Sequence, residues 1–281
     1  MTISEYLFRT KALRVSPHDK PFFYTSGKLG PFYINTHFLF GSEKEAYELL
    51  GMIDMLLCED REKIPEIINQ KAMEQYEKND VYKSVMDELV KSIKKSIPSS
   101  DYGYISGGER RDWFFSYQAA RILGKKHITI FKDRSVIFDK DDQIPFNTLH
   151  ICDLITEASS FKNFWIPAIR AVGGELSSVI SVVDRNQGGR EFFEGEAIDF
   201  HPLIQIDGSF FVIAEKHGYI DKDQLDLIQD YIDDPDGSMR SFLIKNPAFI
   251  EQALKKGGRD SQKAHLLKEH DIYNLKQEDT V

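Results

Sequence analysis

The sequence predicts an α/β fold in which a mostly parallel sheet is flanked by helices and followed by a C-terminal helical extension. Three observations predict it. Short apolar runs alternate with helical segments between residues 101 and 184. Helical periodicity dominates residues 42–98, and polar helical segments separated by turns follow residue 205. Because alternating strands and helices are typical of βαβ units, the strands of the middle region are expected to lie parallel in one sheet.

Residues 1–98 contain two regions with different patterns. The run "PFFYTSGKLGPFYINTHFLF" at 21–40 has the glycine and proline punctuation of loops around brief strands. From Ser42 the period changes, with Ala46, Leu49 and Ile53 on one helical face behind a Ser42–Glu45 capping pattern. Two more helices are predicted over 64–79 and 81–97. These patterns divide the region into a turn-rich segment, 1–41, and a helical insert, 42–98.

The middle region predicts strands at 102–106, 127–131, 149–155 and 176–184, with helices over 109–124 and 160–174. Pro167 lacks a backbone N–H, so it is expected to kink the second helix or to mark its true first turn. Beyond it, helices are predicted over 221–232, 239–246, 247–257 and 261–275. Ligands of such sheets bind at the carboxyl ends of the strands.

Composition limits the classes of function. The chain of 281 residues has a formal net charge of -9 and a pI near 5.4, which argues against a general nucleic-acid or membrane-surface binder. An anionic ligand would therefore need a local cluster of cations. The sequence has only two cysteines, charges interrupt its opening residues, and no apolar run approaches the ~20 residues needed to span a bilayer. We expect a cytoplasmic protein.

Three loops after predicted strands carry candidate binding residues. In "LHICDLITEASSFKNFW", Asp153 ends a strand, and the hydroxyl groups of "TEASS" precede a helix whose free N–H groups suit a phosphate. The alternative is that Ser159 or Ser160 only caps that helix. In "SGGERRD", Arg110 and Arg111 suit phosphate oxygens. A tight turn with surface arginines is the alternative for this loop in isolation, and it is weakened if both loops follow adjacent parallel strands.

The third loop, "VVDRNQGGRE", carries Arg185 and Arg190 around a glycine pair. A forked arginine donor at a strand end suits a planar ligand that bears a carboxylate.

Four stretches in this order resemble the orotate phosphoribosyltransferases, members of the type I phosphoribosyltransferase fold, over roughly residues 1–205. "TSGKLGPFYIN" is similar to their N-terminal hood, and "ISGGERRDW" to their pyrophosphate loop. "LHICDLITEASS" is similar to their loop for phosphoribosyl pyrophosphate (PRPP), and "VISVVDRNQGGRE" to the strand and Asp-Arg motif that holds orotate. The resemblance implies a phosphoribosyltransferase-like domain at 1–205, with a hood at 1–41 and the helical insert at 42–98, and a C-terminal extension at 206–281.

The resemblance also implies an activity, the transfer of phosphoribosyl from PRPP to orotate in pyrimidine nucleotide biosynthesis. Mg²⁺ would arrive with PRPP rather than at a protein metal site, and a homodimer is expected, with the aromatic run 21–40 as a suitable interface. The implied catalytic residues are Asp153, Lys132 and Arg134, although Lys132 and Arg134 are equally compatible with solvated loop positions. The implied PRPP-binding residues are Gly107, Gly108, Glu109, Arg110, Arg111, Thr156, Glu157, Ala158, Ser159 and Ser160. The implied orotate-binding residues are Tyr33, Lys28 and Arg185.

Several residues depart from the family pattern. The PRPP loop of the family begins with two acids, where this chain has Cys152 and Asp153, and Glu157 and Ala158 occupy small-residue and glycine positions. The counterpart of the mobile catalytic loop, "KDRSVIFDKDDQIP" with Lys140, has no glycine. These departures favour an alternative, a PRPP-binding regulatory protein with impaired catalysis. The "DRNQGG" motif favours an enzyme, either for orotate or for another nucleobase.

Overall fold

The structure is a computed structural model that describes residues 2–139 and 145–275. The chain divides into two compact units. Unit 1 comprises Met1–Ala12 and Asn35–Ile206, and unit 2 comprises Leu13–Ile34 and Asp207–Val281. Residues 13–34, which the predicted domain boundaries place in the domain at 1–205, belong to the same compact unit as the C-terminal residues. In the described part of the chain, no helix combines the length and apolarity that crossing a bilayer requires.

The strands are numbered in chain order. They are β1 (Leu13–Val15), β2 (Phe22–Phe23), β3 (Leu29–Gly30), β4 (Phe32–Ile34), β5 (Tyr104–Gly108), β6 (Lys126–Ile130), β7 (Val136–Ile137), β8 (Phe146–Ile155), β9 (Gly174–Asp184) and β10 (Asp199–Gln205).

The α-helices are numbered in the same way. They are α1 (Ile3–Arg9), α2 (Glu43–Glu59), α3 (Ile64–Lys78), α4 (Asp80–Ser96), α5 (Trp113–Leu123), α6 (Ile166–Ala171), α7 (Gly189–Gly195), α8 (Gly208–Lys216), α9 (Lys222–Asp233), α10 (Pro235–Lys245), α11 (Ala248–Lys256) and α12 (Gly258–Glu269).

A six-stranded sheet forms the centre of unit 1, in the order β10-β9-β8-β5-β6-β7. All its neighbouring strands pair in parallel except β7, which is antiparallel to β6. The predicted α/β class with a mostly parallel sheet flanked by helices is therefore confirmed. Because β5 and β8 are parallel neighbours, the loops that follow them leave the same edge of the sheet. The edge strand β10 was not predicted.

The helices of unit 1 follow the predicted pattern with shifted ends. Ser42 caps α2 by accepting a hydrogen bond from the Glu45 N–H, as the capping pattern indicated. Helix α5 begins at Trp113 rather than 109, which leaves Glu109–Asp112 in the loop. The predicted helix over 160–174 is a π-helical turn, Phe161–Trp165, followed by α6. Pro167 lies in the first turn of α6, which was one of the two positions predicted for it. Helix α1 was missed.

Unit 2 joins two small antiparallel ribbons, β1–β4 and β2–β3, with helices α8–α12. The Leu29 N–H donates to the Tyr273 hydroxyl at 2.7 Å, and Lys263 Nζ donates to the Phe23 carbonyl at 2.7 Å. Its buried core combines side chains from both parts of the unit: Phe23, Leu29, Met239, Phe242, Leu243, Ala264, Leu267 and Tyr273. Since these apolar side chains bury each other, residues 13–34 and the C-terminal helices stabilise one another.

Candidate functional site

A polar cavity of about 360 Å³ opens at the carboxyl ends of β5 and β8 in unit 1. The loops "SGGERRD" and "TEASS" both contribute to it, so the expectation that they open onto one cleft is confirmed. Its walls consist of Glu109, Arg110, Arg111, Asp112, Lys132, Cys152, Asp153, Leu154, Ile155, Thr156, Ala158, Ser159, Ser160, Phe161 and Trp165. Three cations, three acids and three hydroxyl groups thus border one volume that is large enough for a small phosphorylated ligand.

The loop after β5 lies tightly against the aromatic residues behind it. A Cβ on Gly108 would lie 2.3 Å from the Trp165 ring, so only glycine fits at this position. Gly107 also lies in β5, and the peptide bond between Glu109 and Arg110 is cis. The Arg110 guanidinium forms an ion pair with Asp54 of α2. Of the predicted residues in this loop, Glu109, Arg110 and Arg111 line the cavity, with Arg110 already paired, whereas Gly107 and Gly108 pack against side chains behind it and are not among the described wall residues.

Asp112, which was not among the predicted site residues, forms hydrogen bonds with both loops. Its Oδ2 accepts the Gly108 N–H at 3.1 Å, and its Oδ1 accepts the Asp153 N–H at 3.0 Å. His150 Nε2 lies 3.3 Å from the same Oδ2, and its Nδ1 lies 2.9 Å from Ser106 Oγ. One carboxylate therefore binds the ends of β5 and β8 at the floor of the cavity, with a buried His150–Ser106 pair beneath it.

Asp153 lies beside Asp112 and is 8% exposed. Burial, and then the neighbouring Asp112 carboxylate, raise the pKa of the Asp153 carboxyl from 3.8 to about 8, against a weaker opposing effect of Arg111. Its Oδ2 has no hydrogen-bond partner among the described residues. Asp153 is therefore a buried acid whose protonated form is favoured.

The loop after β8 has a left-handed residue at its centre. Ala158 has φ +55°, and its carbonyl accepts the N–H groups of Phe161 and Lys162 at 3.0 and 3.2 Å. Ala158 thus adopts a conformation typical of the glycine that the family pattern has here. Glu157 is exposed and does not belong to the described cavity walls, so its carboxylate adds no charge there. Thr156, Ser159 and Ser160 do line the cavity.

A hairpin between β6 and β7 brings Lys132 to the cavity. The Lys132 N–H donates to Glu109 Oε2 at 3.2 Å, which joins the hairpin to the loop after β5. Arg134 is on the same hairpin, but its Nε donates to the Asn163 carbonyl at 2.9 Å, and it is not among the described wall residues. Lys140, which the predicted catalytic loop also includes, lies outside the described residues.

The residues predicted to bind orotate are divided between the two units. In unit 1, the Arg185 N–H donates to the Ile155 carbonyl at 2.9 Å, which holds the end of β9 beside the end of β8. In unit 2, Lys28 Nζ forms an ion pair with Asp236 at 2.8 Å. Tyr33, also in unit 2, makes edge contacts with the rings of Phe22 and Tyr24.

Two further buried residues, Cys152 and His37, lie near the loops. Cys152 donates from Sγ to the Ile180 carbonyl at 3.6 Å, and burial raises the pKa of its thiol, so it is a core residue rather than a nucleophile. His37 is fully buried, and burial followed by the charges of Arg111 and Arg110 lowers its pKa to about 3. Neither ring nitrogen of His37 has a partner among the described residues. No pattern in the sequence distinguished His37 from other histidines.

The fold is similar to that of solved orotate phosphoribosyltransferases. The orotate phosphoribosyltransferase of Francisella tularensis matches with a TM-score of 0.54 and 13% identity, over 82% of this chain and 96% of that one. The enzyme of Aeropyrum pernix matches with a TM-score of 0.50 and 16% identity, over 77% and 99%. These likenesses show that the chain has the type I phosphoribosyltransferase-like fold that the sequence predicted.

A longer protein contains the same fold. UMP synthase of Leishmania donovani matches with a TM-score of 0.54 and 16% identity, over 82% of this chain and 40% of that one. The match thus spans about two fifths of that protein's length. No family model matches the sequence.

Proposed function

We propose that the chain is a phosphoribosyltransferase that transfers phosphoribosyl from PRPP to orotate, forming orotidine 5'-phosphate and pyrophosphate. One observation carries the proposal: two arginines, a lysine, three hydroxyl groups and a buried acid border one cavity at the carboxyl ends of neighbouring parallel strands. This arrangement suits a ligand with phosphates at both ends of a sugar. The fold shared with orotate phosphoribosyltransferases supports the same reaction class.

Each group has a proposed role. Arg110, Arg111 and Lys132 bind the pyrophosphate of PRPP, because forked and point cations both suit phosphate oxygens. The hydroxyl groups and backbone N–H groups of "TEASS" bind the 5-phosphate. Asp153 accepts hydrogen bonds from the ribose hydroxyls, which would supply partners for its unbonded oxygen.

The reaction is a displacement at the anomeric carbon of PRPP. The bond from that carbon to orotate N1 forms while its bond to the pyrophosphate oxygen breaks, and the electron pair leaves with pyrophosphate. The protein contributes position and charge stabilisation rather than a covalent nucleophile. Arg185 is proposed to hold the orotate carboxylate, and Tyr33 and Lys28 remain predicted acceptor residues. A cytoplasmic location also remains a prediction.

Mg²⁺ is expected to enter with PRPP. The part of the chain that the structure describes has no cluster of three or more metal-binding side chains. The Asp112 and Asp153 carboxylates, which both border the cavity, nevertheless suit a cation that typically takes one or two carboxylates plus substrate phosphates. When bound, Mg²⁺ would neutralise charge on the leaving pyrophosphate.

The experiment combines an absorbance assay of orotate consumption with calorimetry of PRPP and orotate separately, each with Mg²⁺. Arg185→Ala should weaken orotate binding about tenfold to a hundredfold and leave PRPP binding nearly unchanged, because it removes a charge-assisted pair. Asp153→Asn should weaken PRPP instead. Arg190→Ala is the matched control for the loss of an arginine, because Arg190 lies in helix α7 with its guanidinium over the Phe200 ring. Equal loss of both ligands in Arg185→Ala would indicate damage to the fold and contradict the assigned role.

A PRPP-binding regulatory protein is the second candidate. The observation that favours it is Cys152, because its Sγ contacts the Ile180 carbonyl inside the core where the family pattern has an acid. PRPP binding without orotate consumption would support this candidate and exclude transfer to orotate. Absence of PRPP binding would exclude both.

A homodimer is part of the proposal and follows from the family resemblance. The run 21–40, named as a suitable interface, is mostly buried within the chain, with Phe23, Leu29 and Phe38 at 6% exposure or less. It therefore offers less apolar surface than the sequence suggested. Light scattering at micromolar concentration tests the dimer, and a monomer mass would contradict it.

A further inference from the structure

The hairpin that carries Lys132 has a compact, regular geometry. Ile130 pairs with Val136 at the end of the β6–β7 ladder, and the Phe131 N–H donates to the Ser135 carbonyl at 3.0 Å. The Arg134 N–H donates to the Phe131 carbonyl at 2.9 Å, and Arg134 has φ +69°. Lys132 therefore lies in a tight turn, and its position at the cavity depends on how that turn is held.

One guanidinium from the helical insert contacts three of the five residues in this turn. Arg61, between α2 and α3, donates from Nη1 to Asp133 Oδ2 at 2.7 Å and from Nη2 to Asp133 Oδ1 at 3.3 Å. Its Nη2 also donates to Ser135 Oγ at 3.1 Å. The guanidinium carbon lies 3.9 Å from the centroid of the Phe131 ring, which is itself buried.

The chemistry of these contacts requires arginine. A planar fork satisfies both carboxylate oxygens while its face stacks on an aromatic ring, which a lysine ammonium cannot do. The Arg61 side chain is 34% exposed and the Asp133 side chain 55% exposed, so the stacked guanidinium is partly shielded while the carboxylate remains in contact with water. The Asp133 carboxylate, bonded first by Arg61 and then by Ser135, has its pKa lowered well below the ordinary value. The charged form of the pair is therefore the stable one.

We infer that Arg61 is a positioning residue of the site, which acts through the turn Phe131–Ser135 to hold Lys132 at the cavity. The assignment of PRPP as the ligand rests on the proposed function. Through Arg61, the helical insert supports the pyrophosphate side of the cavity, a role that no pattern in its sequence indicated.

The first test needs no ligand. Amide hydrogen exchange of residues 131–135 is measured in the full chain for the unmodified protein, Arg61→Ala and Lys63→Ala. Lys63 lies in the same turn as Arg61 and pairs with Asp60 at 2.7 Å, so it controls for loss of a charge. Arg61→Ala should exchange about fivefold to thirtyfold faster at 131–135, since it loses a stacked ion pair. Unchanged exchange overturns the inference, whatever the ligand.

The second test is a double-mutant cycle with PRPP and Mg²⁺ in calorimetry. Arg61→Ala should weaken binding about tenfold in the unmodified background and less than about twofold in the Lys132→Ala background. Arg61→Lys should bind with intermediate affinity. An equal loss in both backgrounds would show that Arg61 does not act through Lys132. If the unmodified protein fails to bind PRPP, the proposed function fails, and the exchange measurement still decides whether Arg61 holds the turn.

Discussion

Replacing Asp153 with asparagine should stabilise the protein while weakening its proposed ligand. The Asp153 carboxyl is buried beside Asp112, and its pKa is raised from 3.8 to about 8. In the folded chain at neutral pH it keeps its proton, whereas in the unfolded chain it ionises. At neutral pH the chain must therefore take up a proton at Asp153 when it folds, and this uptake lowers the free energy of unfolding. Asparagine keeps a donor that can reach Asp112, and it has no charge to lose.

The size of this stability loss follows from the difference between the pKa of Asp153 in the folded and in the unfolded chain. Each unit between the folded and unfolded pKa corresponds to about 1.4 kcal/mol. The unfolded form begins to ionise above pH 3.8, so the unmodified protein loses stability from about pH 4 and the loss levels off near pH 8. At pH 7 the loss is of the order of 4 kcal/mol. Asp153→Asn should recover most of it at pH 7 and almost none at pH 4.

The assay is denaturant unfolding of both proteins at several pH values between 4 and 8, at constant ionic strength. Asp199→Asn, at an exposed position of β10, is the control and should differ by less than about 0.5 kcal/mol at every pH. A stability difference for Asp153→Asn that stays constant with pH would refute the argument, because it would mean that Asp153 is not protonated in the fold. A variant less stable at pH 7 would refute it as well.

Three further changes have expected outcomes. Ala158→Gly should raise the free energy of unfolding by about 1 kcal/mol, because φ +55° is unfavourable for a residue with a Cβ; a lower thermal midpoint would contradict this. Gly108→Ala should lower it by about 1–3 kcal/mol through overpacking against Trp165, and an unchanged denaturation midpoint would show that the ring moves freely. Asp54→Asn should release Arg110 and strengthen PRPP binding about twofold to fivefold in calorimetry; weaker binding would assign Asp54 a supporting role instead.

Most of the central sheet could be predicted because its signals are local. Apolar runs at 149–155 and 176–184 correspond to β8 and β9, and the Ser42 cap was visible from neighbouring residues. Strand β10 was missed because "DFHPLIQ" contains a proline and lacks a continuous apolar run. An edge strand tolerates a proline, since one side of its backbone needs no partner. Helix α1 was missed because it is short, although its Thr2–Glu5 capping box was readable.

The sequence by itself determined the fold class and the edge of the sheet where the site would form, because parallel strands place their following loops together. Only the tertiary structure decided which side chains meet there. Asp112 contacts Asp153 across 41 positions, and Arg61 contacts Asp133 across 72. Such pairs leave no periodic or local pattern in the sequence, since they depend on strand order and on the packing of an insert. The raised pKa of Asp153 is likewise a property of burial and of one neighbour, which exist only after folding.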